Sequence, residues 1–284
     1  MSTPRPKRTA ATPRPSASLL VLSPTNRLLF LQRPSHHSFA SAHVFPGGAI
    51  SASDTSPQHC ALRETFEETG LLLTTAPPPA SVGETAEVQK RVHAGSMEFG
   101  EWVRSWDGNL VEQQDMLPMT TWITPPGAPK RYSSSMFLTR LPAWISEYAA
   151  VTGDGGVETV GKPVWMSPSE ALEKAGAGEV VFYPPQFYLL HSLAGVLAEG
   201  KGWEELEMWA REKGGAVCEP VREGVLKSGE WVIGLGPRGD RELLVTLVPG
   251  GKGVEPRAVG VVGKGEMKET LERERAEKER EASY

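Results

Sequence analysis

Two apolar runs, Ala17-Ser-Leu-Leu-Val-Leu and Arg27-Leu-Leu-Phe-Leu-Gln-Arg, flank the turn-forming segment Ser23-Pro24-Thr25-Asn26 and predict a β-hairpin. A third extended segment, His43-Val44-Phe45, runs into Pro46-Gly47-Gly48, where glycines allow positive φ or a close approach to the backbone. From Pro57 to Thr69 the pattern is helical, with Pro57 in the first turn and Gly70 as the stop. The run Leu71-Leu72-Leu73-Thr74 reads as a strand that ends at Pro77-Pro78-Pro79. Two short helices are expected next, around Glu84 to His93 and Met97 to Trp106, with Trp102 and Val103 on an apolar face.

Strand signals return at Met119 to Thr124, Ser135 to Leu141 and Val160 to Met166. Ser167-Pro168-Ser169-Glu170 carries N-cap chemistry for a helix. Pro184-Pro185 opens another over Gln186 to Ala198, and Trp203 to Lys213 reads as one more. From Pro220 to about Leu247 the pattern shortens into strands, with Gly234, Gly236 and Gly239 in the turns. Beyond Lys264 the chain alternates Glu, Lys and Arg with few apolar positions, the pattern of a solvated helix or a disordered tail.

Composition bounds the rest. A chain of 284 residues can bury a core without disulfide or metal staples, and 30 glycines with 24 prolines imply many turns and tails. Formal net charge is −5, against a binder of nucleic acid that works through a basic field. Cys60 and Cys218 match no metal or redox spacing and read as thiols in a reducing compartment. No apolar stretch reaches the length of a membrane span, and the N-terminus lacks a secretory core, so neither membrane nor nucleic acid is expected as a partner. Residues 1–16 are basic, free of acids and rich in proline, and are expected to be a disordered leader.

One segment concentrates charge in register: Arg63-Glu64-Thr65-Phe66-Glu67-Glu68-Thr69-Gly70-Leu71, downstream of Gly47-Gly48. On a helix, Glu64, Glu67 and Glu68 share one face within about a turn. Carboxylates so close repel one another unless a cation lies among them, and an all-oxygen set suits Mg²⁺ or Mn²⁺. An exposed acidic helix face is the alternative. Arg63, four residues before Glu67, is placed to orient that carboxylate.

This register resembles the second half of the Nudix hydrolase box. The first half departs from it, because strict spacing puts Ala49 where the box has glycine and Thr55 where it has an upstream glutamate; Asp54 is the nearest acid. Arg33-Pro34-Ser35, Ala42 to Gly48, Trp122 to Pro125, Arg131-Tyr132, Trp165 to Ala171 and Pro184 to Tyr188 are similar to the subfamily containing the acyl-coenzyme A diphosphatases of peroxisomes and mitochondria. The resemblance implies an α+β fold, with a mixed sheet between helices (an α/β/α layering), a helical insertion at about 83–108 and a C-terminal β extension. It divides the chain into the leader at 1–16, a catalytic domain at 17–200, a helix with β extension at 201–263 and a charged tail at 264–284.

The resemblance further implies one to three Mg²⁺ or Mn²⁺ ions held by Glu64, Glu67 and Glu68, with Arg63 orienting them. The catalytic set is then Glu67, Glu68, Arg63 and, as base, Glu158. Gly47 and Gly48 approach phosphate or lend a carbonyl, and Arg33 and Arg131 could clamp phosphate bidentately. The partner is a small nucleotide-diphosphate substrate. Coenzyme A or its acyl esters lead, ADP-ribose or a dinucleotide follows, and a nucleotide sensor without catalysis is the alternative of another class. Phe187, Tyr188 and Trp165 could stack on a base, though aromatics at such spacing usually belong to a core. His36, His37 and His43 precede the glycines. The resemblance points to a mitochondrial or peroxisomal location, with the cytoplasm left open, and oligomeric state is not readable.

Overall fold

The computed structural model describes residues 11–281, apart from 35–40, 81–84, 112, 127, 129, 148–158, 198–201, 237, 241 and 249–256. The hairpin forms where its sequence places it. Strand β1 (Arg14–Leu22) meets β2 (Leu28–Gln32) antiparallel through Leu22 and Leu28, across a turn in which Asn26 takes a φ of 58°. Asparagine tolerates that left-handed conformation better than most residues. Strand β3 (His43–Val44) adds to the outer side of β2, and β4 (Gly47–Ala49) pairs with the first half of β1.

Strands β5 (Leu117–Ile123), β6 (Tyr132–Arg140) and β7 (Val160–Met166) follow. Strand β6 runs parallel to β1 over its whole length, from Arg14 opposite Tyr132 to Leu22 opposite Arg140. With the parallel β8 (Ala216–Cys218) on β5, the sheet has the order β3-β2-β1-β6-β5-β8, while β7 pairs with β2 and β4 with β1. A parallel β1–β6 pair needs a long crossover between its strands, and the helices in that crossover carry the acidic register.

Alternation along β1 explains the layers. Leu20 and Leu22 point into a core shared with Phe30, Leu138 and the later helices, whereas Leu19 and Val21 point into a core shared with Leu29 and Phe66. Period-two alternation with apolar residues on both sides marks a strand buried on both faces. On one face lie α1 (Pro57–Thr69), α2 (Thr85–His93) and α3 (Phe99–Arg104). On the other lie α4 (Pro168–Gly176), α5 (Pro184–Val196) and α6 (Trp203–Lys213), with Ser167 capping α4 by accepting from the Glu170 N–H at 3.1 Å. The expected mixed sheet between helices is present.

A second, antiparallel sheet comprises β9 (Val221–Val225), β10 (Trp231–Gly234), β11 (Leu243–Val248) and β12 (Arg257–Gly263), in the order β12-β11-β10-β9. The charged C-terminal segment is the helix α7 (Lys264–Glu281), seated through Met267 against Val232 and Leu244. Ile233, Val245, Leu247 and Ala258 belong to the same apolar cluster as Leu20 and Phe30, so the extension shares the main core. The Tyr188 hydroxyl donates to Asp240 at 2.9 Å across that junction. No helix among the described residues is long and apolar enough to cross a membrane.

Two boundaries differ from the sequence reading. Arg14, Pro15 and Ser16, assigned to the leader, are the opening residues of β1; a proline is tolerated near a strand's start, and its carbonyl accepts from the Ile50 N–H at 3.1 Å. Leu71 to Thr74 is no strand. Its leucines are buried, but only Thr74 makes a bridge, to Leu110, because an apolar run reports burial and not the pairing that defines a strand.

Candidate active site

Helix α1 is fixed at both ends by its own sequence. Ser56 accepts from the His59 N–H at 3.0 Å, Pro57 occupies the first turn, and Gly70 closes the helix at φ 72° with its N–H on the Phe66 carbonyl. Phe66 is fully buried and stacks on Phe99 and Trp102, both at 5.4 Å between ring centroids, so the insertion helix α3 packs directly on α1. Thr65 is also fully buried; its hydroxyl donates to the Ala61 carbonyl at 2.7 Å, which satisfies the polar group within the helix.

The acidic face is not exposed. Glu64, Glu67 and Glu68 are 9%, 8% and 5% exposed, and Arg63 among them is 8% exposed. Arg63 Nη1 lies 2.8 Å from Glu67 Oε1 and 3.0 Å from Glu64 Oε1. Glu68 Oε2 accepts from the Gly47 N–H at 2.8 Å. A Cβ on Gly48 would stand 2.5 Å from the Glu64 carboxylate, and one on Gly47, whose φ is +155°, would stand 2.4 Å from the Ala17 carbonyl. The two glycines therefore let β4 lie against both the acidic face and β1.

The far side of Arg63 belongs to a residue the sequence reading noted only as the nearest acid. Asp54 accepts from Arg63 Nε at 2.9 Å and from Nη2 at 2.8 Å, and its side chain is fully buried. His59 Nδ1 lies 3.1 Å from the same carboxylate, and the Ser51 N–H donates to it at 2.8 Å. Burial alone would raise the Asp54 pKa, but the Arg63 hydrogen bonds, then those from His59 and Ser51, outweigh it and hold the carboxyl well below the usual carboxylate range. Burial likewise pulls the Arg63 pKa down, and the facing carboxylates, Asp54 first, more than reverse that. Burial with the Asp54 and Glu64 charges pushes the Cys60 thiol up to about 12, so this cysteine is an inert packing residue.

The insertion supplies two more contacts that no spacing rule announced. Gln89 Nε2 donates to the Glu67 main-chain carbonyl at 2.9 Å, and His93 Nδ1 stands 3.6 Å from Glu67 Oε2.

The remaining expected residues are scattered. Arg33 follows β2, its N–H donating to the Ala42 carbonyl at 2.9 Å, and its Nε is buried without a hydrogen-bond partner. Arg131 donates through Nε to the Thr124 carbonyl at 2.9 Å and through Nη1 to the Ala11 carbonyl at 2.7 Å. It straps the β5–β6 connection to the segment leading into β1, with Nε and Nη1 both engaged by backbone carbonyls. His43 packs on Phe182, and burial lowers its pKa. Phe187 and Tyr188 are core, Tyr188 edge-on to Trp122 at 6.0 Å, and Trp165 packs against the core beneath α1. Glu158, His36 and His37 lie outside the described residues. An open groove of about 420 Å³ borders Thr55, His59 and Leu110 at the N-terminal end of α1, and none of the three glutamates lines it.

Among the described residues no three carboxylate, imidazole or thiolate side chains stand arranged to hold a metal ion. The local charge nonetheless suits one. Three buried carboxylates, Asp54, Glu64 and Glu67, contact a single guanidinium with a fourth, Glu68, on the same helix face, and uncompensated charges out of water cost several kcal/mol each. The glycine strand β4 lies directly on this buried acidic face.

The chain belongs to the Nudix family, whose NUDIX domain matches residues 12–184. It is similar to acyl-coenzyme A diphosphatase NUDT19 of Gallus gallus, 27% identical with 57% of this chain and 60% of that protein covered. To the Homo sapiens protein of the same name it is 28% identical, with 64% of this chain and 66% of that one covered. The chain thus spans somewhat under two thirds of these relatives' length. A crystal structure of a NUDIX hydrolase from Alicyclobacillus acidocaldarius superposes with a TM-score of 0.54 at 20% identity, over 65% of this chain and 92% of that one, and shares the fold.

Proposed function

We propose that this protein is a divalent-metal-dependent diphosphatase that cleaves coenzyme A or acyl-coenzyme A, with water, into adenosine 3′,5′-bisphosphate and the (acyl-)phosphopantetheine. The observation that carries the reading is the burial of Glu64, Glu67 and Glu68 on one helix face with Arg63, beside a strand in which a side chain at Gly47 or Gly48 would clash. A pure binder has no use for three carboxylates that repel one another. Mg²⁺ or Mn²⁺ at this site would neutralise the bridging phosphates and activate the attacking water. The chain's own residues do the rest. Glu64, Glu67 and Glu68 supply the oxygen ligands, with Glu67 and Glu68 the central pair. Arg63, anchored from behind by Asp54, fixes the orientation of Glu67 and Glu64. The buried, unpartnered Nε of Arg33 would meet a phosphate oxygen.

The coenzyme A assignment draws on the names of the two vertebrate relatives and on the phrases around the box. A hydrolysis panel of coenzyme A, an acyl-coenzyme A, ADP-ribose and a reduced dinucleotide, run with Mg²⁺ and with Mn²⁺, tests it. Release of adenosine 3′,5′-bisphosphate from the first two is expected. Preferred cleavage of ADP-ribose or the dinucleotide would move the substrate within the class, and binding with no cleavage of any of the four would replace the enzyme by a sensor.

A further inference from the structure

Helix α2 ends at His93, and the turn after it is tightly tied: Ala94 donates to the Lys90 carbonyl at 2.9 Å, and Ser96 and Met97 both donate to that of Arg91. One turn earlier, the buried Gln89 holds the Glu67 carbonyl. The insertion is therefore fixed over the acidic face at the level of Glu67. His93 Nδ1 is buried there with no hydrogen-bond partner, 3.6 Å from Glu67 Oε2, while Glu67 Oε1 is engaged by Arg63. A histidine serving only to pack would normally donate to a carbonyl or carboxylate at about 2.7–3.2 Å. This nitrogen faces a carboxylate oxygen beyond that distance. Two ligands each about 2.1 Å from one ion stand about 3.0 Å apart at a right angle and about 3.6 Å apart at 120°.

We propose that His93, delivered by the helical insertion, is a nitrogen ligand of the same divalent cation that Glu67 holds; this rests on the reading of Glu67 as a ligand. The consequence is selectivity. An imidazole among carboxylates weakens the preference for Mg²⁺, which favours oxygen, relative to Mn²⁺ and the later transition ions. The insertion then sets which metal the site takes as well as covering α1.

The test uses the full chain with Mn²⁺ and reads the metal rather than turnover. Pulsed electron paramagnetic resonance of the Mn²⁺-loaded wild type should show coupling to a ¹⁴N nucleus, and His93→Gln should lose it. In direct binding titrations, His93→Gln should lower Mn²⁺ affinity by about tenfold or more while lowering Mg²⁺ affinity less. Mn²⁺ bound in a Glu67-dependent manner but without nitrogen coupling, or coupling that survives in His93→Gln, would overturn the assignment of His93 and leave the carboxylate site standing. Mn²⁺ binding that is unchanged in Glu67→Gln, or absent from the wild type, would overturn both.

Discussion

Arg63 carries its charge at any accessible pH, and Asp54 answers it from the side turned away from the glutamates. Because the folded-state pKa of Asp54 is depressed, its contribution to stability is complete above the unfolded value of about 3.9 and is lost as pH falls from there toward the lower folded value. Asp54→Asn should therefore flatten the acid limb of the stability profile below about pH 4. At neutral pH it should cost about 3–5 kcal/mol in denaturant unfolding, the usual consequence of leaving one partner of a buried pair alone. An unchanged profile would mean that Arg63 is held by Glu64 and Glu67 alone. The motif spacing had pointed to Thr55 at this position. Asp54 was hidden because the carboxylate came from one residue earlier in a loop, where register is not fixed by helical periodicity.

Helix α1 was legible almost to the residue, since Ser56, Pro57 and Gly70 each leave a chemical mark on their position. Strand β4 was less so. Gly47 and Gly48 read as permitting positive φ or a close approach to the backbone, without a strand of their own; they form a short strand whose backbone lies against Glu64. Gly48→Ala should push the Glu64 carboxylate aside. The expected outcome is a loss of about 1–3 kcal/mol in stability, as for other overpacked sites, together with weaker Mn²⁺ binding in a titration. Retained metal affinity would separate Glu64 from the site. The contacts of Gln89 and His93 with Glu67 had no signal in the sequence, because helices of an insertion carry ordinary amphipathic patterning and nothing in it names the surface they cover. The buried leucines at 71–73 misled for the same reason.

At the scale of the molecule, two sheets share one apolar cluster, and β8 joins the second half of the chain to the first sheet. The sequence marked a change of pattern near Pro220, and composition alone could not show that the segments beyond it contribute side chains to the same core. One cooperative unfolding transition is expected by calorimetry. Tyr188→Phe should lower its midpoint by about 2–6 °C, because a hydrogen bond to a charged acceptor contributes about 1.5 kcal/mol or more. Two separated transitions would show that the extension folds alone. The central claim is that the buried carboxylates hold a catalytic cation, and the most direct measurement is the rate of acyl-coenzyme A hydrolysis in Mn²⁺ for the wild type and Glu67→Gln side by side. The account predicts turnover by the wild type and a rate lower by at least about 100-fold in the variant, assayed at a temperature where circular dichroism shows both proteins folded. Equal rates in the two proteins would contradict it.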